Sequence, residues 1–150
     1  MIRRAKVSDV AELQRLINQF ADRSEMLPRS LNAIYENIRD FVVIESADER
    51  ILGCCALHIT WGDLAEVRSL AVEPDVQSKG YGRLLVQECL DDARQMGVPK
   101  VFALTYVPGF FEKMGFSRVD KGTLPQKIWS DCINCPKFPD CGEEAVAIEF

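Results

Sequence analysis

The sequence has no apolar run that approaches the ~20 residues a membrane-spanning helix needs. Basic residues are outnumbered, with 18 Lys and Arg against 23 Asp and Glu and a net charge of −5. Phosphate backbones call for a basic face, so this balance argues against a nucleic-acid partner. Histidine is nearly missing. His58 is the single one; it lies in a strand-like run, where an ordinary packed or half-exposed imidazole is expected. No internal repeat, low-complexity tract or linker interrupts the chain before residue 120. The opening Met1-Ile2-Arg3-Arg4 leads into a polar amphipathic stretch with no signal-peptide h-region. A cytoplasmic protein is the expectation.

What is present suits one globular domain of 150 residues, a length that buries most of the surface its unfolded form exposes. Cys54, Cys55 and Cys89 sit in apolar segments as small core residues. Ile2–Lys6 reads as a strand. Ser8 then caps a helix carrying Val10, Leu13, Leu16, Ile17 and Phe20 at helical spacing. Ser30 caps a second helix through about Arg39, with Leu31, Ile34, Tyr35 and Ile38 on one face. Three strands follow as an antiparallel meander: Phe41–Glu45, Ile51–Thr60 and Leu64–Val72, the last two joined at Gly62-Asp63. Pro74 stops the third. A helix from about Gly80 to Met96 sets Leu85, Cys89, Ala93 and Met96 on an apolar face, and Gly97 ends it. A strand at Lys100–Thr105 after that helix implies a crossover and a parallel pair. A short helix at Phe110–Met114 and late strands at Phe116–Val119 and Ala145–Phe150 complete a mixed α/β sheet with helices on it.

The turn between Val72 and the long helix carries chemistry. Gln77-Ser78-Lys79-Gly80-Tyr81-Gly82 enters a helix N-terminus, where unpaired N–H groups and a partial positive charge favour an anion. Glycines at 80 and 82 let a pyrophosphate approach the backbone. Lys79 and Arg83 add charge. A third glycine of the dinucleotide fingerprint would fall at Leu85, and no Gly-Lys-Ser/Thr of a P-loop follows.

Val72-Glu73-Pro74, Gln77-x-x-Gly80-x-Gly82 and Leu84-Leu85 resemble the coenzyme A signature of the GNAT acetyltransferases. Phe110-Phe111-Glu112-Lys113-Met114-Gly115-Phe116 resembles that family's second motif. The resemblance implies a GNAT fold, α/β with a mixed, mostly antiparallel sheet, a splayed central parallel pair and flanking helices. It implies acetyl-CoA as co-substrate, held by Leu70, Ala71, Val72, Gln77, Ser78, Lys79, Gly80, Tyr81, Gly82, Arg83 and Phe111. Met26 to Ser30, Cys54 to Leu57 and the run Ala65 to Val72 are further similar to the acetyltransferase domain of the N-acetylglutamate synthase family. That implies L-glutamate as acceptor, a role in arginine biosynthesis and a homodimer, here in a short form without an amino-acid-kinase domain. Arg29 resembles a basic residue of that family's acceptor pocket.

Acetyl transfer needs a neutral amine, hence a base. On a regular strand Glu66, Arg68, Leu70 and Val72 share one face, so Glu66 would point where the coenzyme loop begins and take the proton through water. Arg68 on that face suits bidentate binding of a carboxylate. Many relatives carry a tyrosine at the position of Phe111, which cannot donate a proton. Tyr106 is the nearest tyrosine and the candidate general acid. Near the C-terminus, Cys132, Cys135 and Cys141 form C-x2-C-x5-C. Two-residue spacing lets both thiolates reach one metal. Zinc or an iron–sulfur cluster would need a fourth ligand, such as Asp140, Glu143 or His58; free thiols or a reversible disulfide are the alternatives. Residues 1–120 are expected to form the core, with 121–150 a cysteine-containing loop and last strand of the same domain. Another amine, amino acid or protein as acceptor, or a non-catalytic acyl-CoA sensor, stay open on the sequence.

Overall fold

The computed structural model describes residues 1–21, 29–124 and 143–150. Strand β1 (Ile2–Arg4) ends in a turn closed by Asp9. The Asp9 carboxylate accepts the Lys6 backbone N–H at 2.7 Å and holds the Arg3 guanidinium at 2.8 and 3.0 Å. A 3-10 turn over Val7–Asp9 then feeds α1 (Val10–Ala21). The expected cap at Ser8 is therefore displaced: the chain turns at Lys6, because the longer-reaching carboxylate of Asp9 takes the free N–H. Ser30 does cap α2 (Leu31–Glu36), its hydroxyl accepting from Ala33 N at 3.1 Å. This helix stops at Glu36, and a 3-10 turn over Ile38–Asp40 replaces its expected last turn. Ile34 is buried, while Leu31 and Tyr35 are exposed, because so short a helix lays one stripe against α1.

Strands β2 (Phe41–Glu45), β3 (Ile51–Trp61) and β4 (Leu64–Val72) form the expected antiparallel meander, turned at Gly62 and Asp63. Helix α3 (Tyr81–Gln95) follows a 3-10 turn over Pro74–Lys79. It ends with Gly97 at φ 81° and Val98 N donating to Ala93 O at 2.9 Å, a Schellman closure. Met96, expected in the apolar face, is exposed; the closure swings it outward, and Val98 is buried instead. Strand β5 (Lys100–Thr105), α4 (Pro108–Glu112), β6 (Ser117–Val119) and β7 (Glu144–Glu149) finish the chain. All seven strands join one sheet in the order β1-β2-β3-β4-β5-β7-β6. Leu85, Val86, Cys89, Leu90 and Ala93 of α3 cover one face. Val10, Leu13, Leu16 and Ile17 of α1 cover the other. Among the described residues, no helix is long and apolar enough to cross a membrane.

Two irregularities at β4 place the site. First, β4 and β5 run parallel but pair only at Ala65–Val101 and Glu66–Phe102. Beyond Glu66 the two strands diverge, and the β5-facing edge of β4 is left open. Second, β4 is bulged. Cys54 faces Ala71 and Ala56 faces Arg68, so Ser69 and Leu70 together oppose Cys55. Ser69 takes up the extra residue with a left-handed φ of 57°.

The bulge corrects the face assignment. Ala65 and Val67 join the core on the α3 side, as do Val72 and the half-buried Leu70. Ala71 joins the core on the α1 side. A period of two would have set Ala71 with Ala65 and Val67; the extra residue inverts the alternation. Glu66 and Arg68 therefore project toward α1 and α2, and Leu70 and Val72 toward α3. The four do not share a face.

Candidate active site

The residues expected to hold the coenzyme lie where β4 ends and α3 begins. The turn Pro74–Lys79 is tied down at both ends. Glu73, nearly buried, accepts from Arg15 at 3.2 Å and from Arg50 at 3.1 Å. Arg50 also grips Asp75 at 3.0 and 3.1 Å. The hydrogen bond from Arg50 holds the Asp75 carboxyl below its ordinary value. Gln77 Nε2 donates to Val72 O at 3.1 Å, so this side chain folds back onto the strand instead of reaching outward. Ser78, Lys79 and Arg83 are exposed.

Gly80 caps α3 at φ 79°, and a Cβ there would have nothing within 4 Å. A side chain is thus missing where the helix begins, beside the unpaired N–H groups of its first turn. Gly82 sits against Val72 and Phe110, whose ring would be 3.5 Å from a Cβ. Phe110 is the aromatic that meets the loop. Phe111, the expected contact, is buried in the core on the α3 side, edge-on to Phe116 at 5.2 Å and to Phe110 at 5.1 Å. The pair straddles α4, one ring inward and one toward the loop, and the motif does not say which is which.

On the opposite face of the sheet, a cleft is lined by Arg29, Asn37, Asp40, Phe41, Arg68 and Ser69, among others. Arg29 and Arg68, far apart in sequence, meet here. Asn18 of α1 fixes the Arg29 backbone from both sides, accepting from its N–H at 3.2 Å and donating to its carbonyl at 3.4 Å. Glu66 lies next to Arg68, Oε1 to Nη1 at 3.7 Å, and is only 9% exposed. His58 pairs with Glu66 across the β3–β4 ladder and holds Asp40 through Nδ1 at 2.9 Å. The half-exposed imidazole expected from the sequence is present, but with a carboxylate partner that the sequence did not suggest.

The bulge next to Arg68, at the wall of this cleft, is supported by two thiols. Cys54 donates to Ser69 O at 3.4 Å and Cys55 to Arg68 O at 3.9 Å. Burial pushes the Cys54 thiol up to about 12; contact with Cys89 together with burial pushes Cys55 up as well. Both remain protonated donors, inert as nucleophiles. Asn18, Asn37, Asp40, Ser69 and Phe110 thus enter the site without having been singled out. Polarity on an otherwise apolar helix stripe was the one available signal, at Asn18.

Tyr106 follows β5 at the divergent end of the parallel pair and is half-buried. It stands across the opening from the β4 bulge, where the two strands have parted. Ser30 serves as the helix cap and is exposed. Cys132, Cys135, Cys141 and Asp140 lie outside the described residues. Among the described residues, no group of three or more His, Cys, Asp or Glu side chains is placed to hold a metal.

The chain is 42% identical over 97% of its length to an uncharacterized N-acetyltransferase of Chlorobaculum tepidum, covering 93% of that protein. It is 32% identical over 87% of its length to an amino-acid acetyltransferase of Mycobacterium tuberculosis, covering 76% of it. Its fold superposes on N-acetylglutamate synthase from Neisseria gonorrhoeae, complexed with coenzyme A and N-acetyl-glutamate, with a TM-score of 0.89 at 26% identity. There it covers 99% of this chain and 34% of the larger one. Residues 7–116, which hold the splayed strands, the turn before α3 and the cleft on the α1 face, match the acetyltransferase (GNAT) family, and the chain belongs to that family.

Proposed function

We propose that the protein transfers the acetyl group of acetyl-CoA to the α-amino group of L-glutamate. One observation carries the acceptor: Arg29 and Arg68 converge on one cleft beside a nearly buried carboxylate, Glu66. Two guanidinium groups match two carboxylates, and Arg binds carboxylate in a planar fork. The relatives named for amino-acid acetylation, and the N-acetyl-glutamate complex of the structural neighbour, support the same reading.

The coenzyme is assigned to the other face. The first-turn N–H groups of α3, at Tyr81, Gly82 and Arg83, would take its phosphates, with Lys79 and Arg83 adding charge. Gly80 and Gly82 leave the backbone accessible, and Ser78 lies at the rim. Leu70, Ala71 and Val72 offer backbone groups along the open edge of β4, and Phe110 rather than Phe111 contributes a ring. Gln77 acts by pinning the turn. When bound, the coenzyme supplies a thioester carbonyl open to attack by the amine. Glu66 accepts one ammonium proton, through water. Tyr106, at the mouth of the opening, is assigned the proton donor to the departing sulfur, a role Phe111 cannot fill. The bulge explains how two substrates on opposite faces meet: each reaches the gap beyond Glu66 from its own side.

Residues 121–150 are read as part of the same domain as 1–120. The position of β7 between β5 and β6 supports this. A free-thiol release assay with acetyl-CoA and a panel of amino acids and polyamines tests the function. Turnover with L-glutamate well above all others is expected. Arg68→Met should raise its KM about tenfold or more, since a charge-assisted hydrogen bond contributes roughly 1.5–3 kcal/mol. Preference for an amine without a second carboxylate would overturn the acceptor assignment.

A further inference from the structure

We propose that His58, oriented by Asp40, receives the proton collected by Glu66 and releases it to solvent, resetting the base in each cycle. This rests on the function proposed above and extends it to a residue which that function does not use. His58 is the cross-strand partner of Glu66 on the antiparallel β3–β4 ladder. Side chains of such a pair lie on the same face with Cβ atoms about 5 Å apart. The imidazole is held at Nδ1 by Asp40 at 2.9 Å, and its side chain is 34% exposed, against 12% for Glu66. A nearly buried carboxylate thus adjoins a solvent-contacting imidazole whose tautomer a second carboxylate fixes. With a carboxylate on Nδ1–H, Nε2 of the neutral ring is the basic nitrogen.

The proton balance requires such an exit. An ammonium plus a thioester gives an amide, a thiol and one proton. The amine loses two protons: one restores Tyr106, which has given its own to the departing sulfur, and one goes to Glu66 through water. The second must leave before the next turnover, or Glu66 starts protonated. Passage from the Glu66 carboxyl to Nε2 of His58, then to water, leaves both groups as they began. Asp40 holds the imidazole from the 3-10 turn, and Glu66 stands opposite it on β4 with Arg68 at its side. His58 acts through Glu66 and is a positioning residue, not one that touches the reacting atoms.

Because His58 is the single histidine, its imidazole gives one set of NMR resonances, read without assignment. Glu66→Gln should move those ring resonances, as expected for changing the directly opposite cross-strand neighbour. Unmoved resonances would show that the two side chains do not meet and would overturn the proposal. This reading needs no turnover, so it stands even if L-glutamate is not the acceptor. In the kinetic arm, His58→Gln keeps a donor for Asp40 but cannot carry the proton. It should lower kcat about tenfold, leave the KM for acetyl-CoA within about twofold and move the acidic limb of the pH profile. Added imidazole should restore part of the rate. The same loss in a Glu66→Gln background, or no imidazole rescue with an unmoved pH profile, would mark His58 as structural and sink the relay.

Discussion

Gly53 shows how one residue holds the sheet to α3. A Cβ built there would lie 3.1 Å from Ala71 O, 3.1 Å from Leu85 Cδ1 and 3.3 Å from Val72 Cγ2. Two of these neighbours belong to the end of β4, and the third to the first turns of α3. The backbone oxygen cannot move without disturbing the β3–β4 ladder. Gly53→Ala should therefore cost about 1–3 kcal/mol, the usual range for overpacking, measured by chemical denaturation. Coenzyme affinity should also weaken, because the displaced atoms carry the coenzyme-side turn. An unchanged midpoint would mean that Leu85 and the ladder relax freely. The sequence gives no hint of this role, since a glycine inside a strand reads as neutral until its neighbours are known. Ser69 is similarly silent. Nothing in Arg68-Ser69-Leu70 announces a left-handed residue, yet its φ of 57° decides which way Glu66 points.

At the scale of elements, long periodic segments were legible and irregular ones were not. Helix α3, the Gly62–Asp63 turn and the parallel pairing of β5 follow from hydrophobic spacing, turn chemistry and the handedness of crossovers. The common face of Glu66, Arg68, Leu70 and Val72 failed because a period-two reading assumes an unbroken strand. The outward ring of α4 also escaped, since Phe110 and Phe111 are chemically alike. The turn before α3, to which the coenzyme phosphates are assigned in the proposal above, is a further element whose support is long-range: Arg15 from α1 binds Glu73, and Arg50 from the β2–β3 connection binds Glu73 and Asp75. Surface ion pairs contribute little to global stability, so their effect should appear in the order of the turn. Arg50→Ala is expected to raise the dissociation constant for coenzyme A roughly two- to fivefold, the scale of one exposed pair, with little change in melting temperature. Titration calorimetry checks this. Unaltered affinity would show that Gln77 and the Pro74 turn suffice.

For the molecule as a whole, the open question is what fastens the N-terminal edge of the sheet. Strand β1 pairs with β2 over three residues, Ile2 to Arg4. Its charge cluster does the rest: Arg3 binds Asp9 at 2.8 Å and Glu45 at 2.8 Å, joining β1, the start of α1 and the end of β2. The hydrogen bonds from Arg3 hold the carboxyls of both Asp9 and Glu45 below their ordinary values. A carboxyl whose folded value is depressed adds stability that is complete above its unfolded value. That stability is lost as pH falls through the folded one. Arg3 itself is raised and stays charged throughout the accessible range. The cluster should therefore contribute fully from neutrality down to about pH 5 and fade below about pH 4, where unfolded carboxyls begin to protonate. Arg3→Met should lower the melting temperature by a few degrees at pH 7. The gap from the parent should narrow as the pH falls below about 4 and through the depressed values of the two carboxyls, because protonated partners no longer attract the guanidinium. Parallel melting curves across that range check it. A gap that stays constant would mean that Arg3 acts through packing of its stem and not through charge, and the edge strand would then owe its place to the β1–β2 ladder alone.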